Sequence, residues 1–103
     1  MNGDDVRAAA EQAVAFLEPL AGRDWSVPVP GMDFTVASVV AHAATCPLRY
    51  AIGHIGGPGD GAFDLKVLPD AEPARLLVSL RTTAALSAMT VDTLPAAHRA
   101  TLS

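Results

Sequence analysis

Among 103 residues the chain has one cysteine, one tryptophan, one tyrosine and three phenylalanines. A single thiol, Cys46, excludes an intramolecular disulfide and fits a reducing, cytoplasmic setting. Aromatic residues make up only 5% of the chain against 50% apolar residues. The core must therefore come from Ala, Val and Leu, which favours close helix packing over a sheet. Lys and Arg form no cluster, and the net charge is −4, which argues against nucleic acid as a partner. No run of about 18 apolar residues occurs, so nothing is expected to span a membrane. The first residues are acidic and polar and do not read as a signal peptide. The glycine-rich run at 56–61 is followed by no G-K-[ST] and preceded by no strand, so it reads as a connection and not as a phosphate loop.

What is present is helical. One hundred and three residues allow one domain with one core. Three segments carry apolar residues at helical spacing, predicting helices near 4–20, 35–53 and 72–91. Asn2 or Asp4 caps the first helix, whose stripe is Val6, Ala10, Ala13, Leu17 and Leu20. Thr35 caps the second, with a stripe at Val36, Val39, Val40 and Ala43; Pro47 predicts a kink or an early stop near Cys46. Pro73 suits the first position of the third helix, whose buried stripe is Leu76, Leu77, Leu80, Ala84, Ala88 and Val91. Arg75, Arg81 and Thr82 face out, and residues 92–103 read as a tail. The connection from Gly56 to Asp70 spans roughly 50 Å if extended, more than the roughly 27 Å of an 18-residue helix. Helices two and three can therefore lie parallel, with Phe63, Leu65, Val67 and Leu68 tacking the connection to the bundle.

The most distinctive stretch runs from Asp24 to Ala44: D-W-S-V-P-V-P-G-M-D-F-T-V-A-S-V-V-A-H-A-A. Trp25 is expected to pack over the end of the bundle. A Trp, a Pro/Gly linker, an aromatic-Thr-Val run and then V-V-A-H resembles the amino-terminal region of the mycothiol-dependent maleylpyruvate isomerase family, within the DinB-like metal-binding bundles. Phe34 stands where that family usually has Trp. The resemblance implies an all-α, DinB-like bundle in up-down-down-up order, with three main helices present here and the fourth missing, as in a chain cut before its last helix. It also implies a divalent, zinc-like metal with His42 as the first ligand, mycothiol as cofactor, and a small-molecule thiol and substrate as partners in isomerisation or thiol transfer. The other two family ligands come from the fourth helix, as Glu or His followed four residues later by His, a pair this chain does not contain. The His42 ring is expected to point toward the bundle interior, between helices two and three or into the vacant fourth position.

Other readings of the same residues stand beside this one. His42 and Cys46, four apart on one helix, could chelate a metal as in zinc-binding anti-sigma factors, but Arg49 then occupies the next ligand position, and a buried core cysteine is the blander alternative. His54 is twelve residues from His42, roughly 18 Å along a helix, too far to share its metal. His98 reads as solvated, and nothing in the sequence places the carboxylates Asp33, Asp60 and Asp64 near His42. A groove left by the absent helix, lined by Ala, Val and Leu, would be filled by a homo-oligomer or a helical partner. A non-catalytic helical interaction module, or a shortened paralogue, is thus the alternative to a metal-dependent enzyme.

Overall fold

A computed structural model describes residues 2–56 and 65–94, and the backbone alone for 54–56. Phe63, Asp60, Asp64, His98 and the tail beyond Leu94 lie outside the described residues, as does the side chain of His54. The fold is all-α: helix α1 covers Gly3–Leu17 and runs into a 3-10 turn at Glu18–Leu20, α2 covers Val36–Gly56, and α3 covers Pro73–Thr93. Among the described residues there is no strand, only one isolated antiparallel bridge between Pro28 and Thr35.

Helix α3 is the common neighbour, packed against both α1 and α2. At one end Leu76 and Leu77 form a cluster with Trp25, Ala37, Val40 and Ala41, onto which Leu17 and Leu20 pack. One turn further along α3, Leu80 meets Val14 of α1 and Ala44 of α2. As residue numbers rise in α3 they rise in α2 and fall in α1. Helices α2 and α3 therefore run parallel, as the length of their connection predicts, and α1 runs antiparallel to both. At the far end the Gly3 N–H donates to Asp92 Oδ1 at 2.7 Å. Asp92 sits in the last turn of α3, an unfavourable place for a carboxylate in that helix's own dipole, but it lies at the N-terminus of α1, where it is favourable. Gly3 permits this approach, because a Cβ there would lie 2.7 Å from the Ala88 carbonyl oxygen.

The segment before α2 explains how that helix starts. Pro30 and Gly31 form the centre of a tight turn in which the Met32 N–H donates to the Val29 carbonyl at 3.0 Å. Gly31 has φ of 77°, the left-handed value that the third residue of a type II turn requires. The chain folds back so that Val29 N–H donates to Phe34 O at 2.8 Å. Three donors of the first helical turn then find partners. Val36 N–H donates to Val27 O at 3.0 Å and Ala37 N–H to Trp25 O at 2.8 Å. Ser38 N–H donates to Thr35 Oγ1 at 3.1 Å, as the N-cap reading of Thr35 expects. Trp25 itself is 5% exposed and its indole N–H donates to Leu20 O at 3.0 Å, so it closes the end of the bundle. Nearby, the Ser26 hydroxyl and then the Ser26 backbone N–H hold the Asp24 carboxylate below its usual pKa.

Several expectations need correction. Helix α2 runs through Pro47 to Gly56, close to the expected range of 35–53, and the early stop near Cys46 that Pro47 also allowed does not occur. Its buried face is Ala37, Val40, Ala41, Ala44 and Thr45, while Val39 is 43% exposed and Ala43 is also exposed. The expected stripe is thus rotated by one residue, about 100°, because the small alanines let α3 come close where the larger valines would hold it off. In α1 the fully buried side chain is Val14, which the expected stripe omits. Leu65 and Leu68 are exposed and do not tack the connection down; Val67 does, packed on both clusters.

Candidate functional site

The face of α2 turned away from α3 carries His42 and Cys46. Both are exposed, and His42 Nε2 lies 3.6 Å from Cys46 Sγ. Cys46 is therefore not a core cysteine. The His42 ring does not lie between α2 and α3, because Ala41 and Ala44 take that side and one further residue of helical rotation carries His42 past its edge.

Two clefts meet at His42. One, of about 590 Å³, is walled by Met32, Phe34, Ser38 and Val39. The other, of about 190 Å³, lies between α2 and the end of the connection, with Arg49, Lys66 and Val67 around it. Ser38 and His42 belong to both. The loop before α2 and the helix start set this geometry together: the turn at Gly31 brings Met32 and Phe34 back beside the helix, and the capped first turn fixes the rotation of His42. Asp33 is exposed and lines neither cleft.

Thr45 holds the second wall in place. Its side chain is buried; Oγ1 donates to Ala41 O at 2.8 Å and accepts from Val67 N–H at 2.9 Å. Thr45→Val keeps the shape and removes the acceptor, leaving a half-buried N–H without it. We expect a loss of about 1–3 kcal/mol in urea denaturation, with Thr45→Ser close to the original. A Thr45→Val protein as stable as the original would show that this bond does not anchor the connection.

Among the described residues, no group of three or more His, Cys, Asp or Glu side chains is placed to hold a metal ion. His42 and Cys46 supply two donors, whereas a catalytic zinc-type site takes three from the protein and a structural site four. The residues described thus do not complete such a site. Sequence reasoning identified His42 and Cys46 but missed the clefts. Ser38 and Arg49 lie four residues before and seven after His42, a spacing that puts them near one helix face. Lys66 and Phe34 arrive through turns and connections that periodicity does not encode. The chain matches no family model, no curated protein and no solved structure.

Proposed function

We propose that this chain is a helical scaffold of the mycothiol-linked, DinB-like divalent-metal type, with His42 as its own metal donor. The observation that carries this reading is the placement of His42: exposed at the shared wall of two clefts, with a second soft donor, Cys46, 3.6 Å away. The order of α1, α2 and α3, one helix antiparallel to two parallel ones, supports it as the first three positions of an up-down-down-up bundle. Two donors do not complete a tight site, so no reaction step is assigned to the metal. In this reading the monomer holds zinc weakly and shows no measurable isomerisation of maleylpyruvate with mycothiol, because pre-organised ligation must overcome the hydration of the ion.

The test is zinc titration of the monomer, elemental analysis after dialysis against a mild chelator, and an assay with mycothiol and maleylpyruvate. We expect weak zinc binding that His42→Ala abolishes, no metal retained after dialysis and no turnover. Zinc binding unchanged in His42→Ala would remove the metal reading. One metal per monomer retained after dialysis, with turnover, would show a complete enzyme.

A second reading, a non-catalytic helical interaction module, is favoured by one other feature. An apolar cleft of about 350 Å³ opens between α1 and α2, with Val6, Ala9, Ala13 and Pro47 on its walls and Leu80 among its lining residues. It makes no use of His42, so the same His42→Ala titration separates the two.

A further inference from the structure

We infer that the two clefts meeting at His42 form one binding site for a small amphipathic carboxylate. Its anionic head lies between Arg49 and Lys66, and its apolar body lies against Phe34. The inference uses no metal, so it stands or falls apart from the reading of His42 as a metal donor. Its first support is charge. The chain carries 11 acidic residues against 7 Lys and Arg. Yet the smaller cleft has Arg49 and Lys66 on its walls, and no described residue lining either cleft is acidic. A cleft lined by one sign of charge concentrates ions of the other. A guanidinium and an ammonium both donate to carboxylate oxygens. Ser38 and His42 stand at the junction, where a hydroxyl and an imidazole can each donate one hydrogen.

How Lys66 reaches the cleft is the second support. It comes from the connection, not from α2. The residue after it is fixed: Val67 N–H donates to Thr45 Oγ1 at 2.9 Å, and Thr45 is buried. This bond holds the Lys66 backbone beside α2 before any ligand arrives, which lowers the ordering cost of binding. The third support is the apolar half. The larger cleft, of about 590 Å³, falls within the range of small-molecule pockets, about 300–1,000 Å³. Met32, Phe34 and Val39 wall it, and all three are exposed, Phe34 at 56%. An apolar body laid there covers surface that water now wets. A bare inorganic anion would leave that surface wet, and a neutral apolar molecule would leave the cations unused. A carboxylate carrying an aliphatic chain satisfies both halves.

The probe is octanoate, titrated into the full chain at low salt by calorimetry and located by amide chemical shifts. We expect saturable binding at one per chain, with the shifts centred on Ser38, His42 and Val67. Arg49→Gln and Lys66→Gln should each weaken it about tenfold, and added salt should weaken it further. Shortening the chain to hexanoate should weaken binding by up to about fourfold per methylene. Phe34→Ala should flatten that dependence on chain length. Arg23→Gln, which removes a cation outside both clefts, should change nothing. Octanamide bound as tightly as octanoate would overturn the inference by showing that charge plays no part. Inorganic phosphate bound as tightly would overturn it by showing that the apolar cleft plays none. Absence of saturable octanoate binding, or binding that survives Arg49→Gln and Lys66→Gln together, would also overturn it.

Discussion

Replacing Trp25 by alanine should cost about 3–5 kcal/mol, the range for truncating a buried large aromatic. Small domains are stable by only about 5–15 kcal/mol, so the variant should be close to unfolded at physiological temperature. Three roles converge on the residue. Its ring fills the end of the bundle against Leu76, Leu77, Val40 and Ala37. Its indole N–H donates to Leu20 O at 3.0 Å, tying the loop to the turn after α1. Its own carbonyl accepts from Ala37 N–H at 2.8 Å, so displacement of the backbone would also uncap α2. Trp25→Phe separates these roles. It keeps most of the apolar surface and loses one hydrogen bond, so its cost should be nearer 1–2 kcal/mol. Both are measured by urea denaturation followed by far-ultraviolet circular dichroism, since the only tryptophan is the residue removed. A Trp25→Ala protein destabilised by less than about 1 kcal/mol would mean that the end of the bundle is held by something else.

Leu76→Ala should be nearly as damaging, at about 2–5 kcal/mol. Leu76 is fully buried, and α3 is the helix that both of the others need. A cavity at this position would face Trp25 and α2 together, and the alanines on the facing side of α2, Ala37 and Ala41, are too short to fill it. The control is two residues away. Val78 is 62% exposed, and Val78→Ala should stay within about 0.5 kcal/mol. Equal costs for the two substitutions would show that α3 is turned differently in its bed.

Legibility from sequence followed contrast along each helix. In α3 the buried stripe is interrupted by Arg75, Arg81 and Thr82, and all six expected core residues are buried with the three polar ones exposed. In α2 there is little contrast to read. Valines and alanines surround the helix on every side, so the sequence shows a helix without showing its phase. The expected face was one residue out, and the positions of His42 and Cys46 were out with it. The cap at Thr35, the turn glycine and the parallel course of α2 and α3 follow from local chemistry and chain length. The clefts beside His42 follow from where the loop and the connection land, which no short-range pattern records. The family resemblance implies three metal ligands, and no group of three such side chains is placed together among the described residues.

The closed hydrogen bonding at the start of α2 has a consequence for how this chain tolerates changes in length. Val27, Trp25 and Thr35 each hold one amide of the first turn, so loop and helix are keyed together residue for residue. An insertion between Thr35 and His42 would turn everything downstream by about 100° about the helix axis. A one-residue insertion would carry His42 to the place Ala43 now holds, which is also exposed, and would turn Ala41 and Thr45 out of the buried face into the places of His42 and Cys46. A deletion between Trp25 and Thr35 would break the key itself. Length is less constrained beyond the other end of α2, where the chain between Gly56 and the anchored Val67 keys no helix start, and doubling the length of a loop costs only about 0.6 kcal/mol. Sequences built on this scaffold should therefore vary in length between α2 and α3 while holding constant the count of residues from Trp25 to His42.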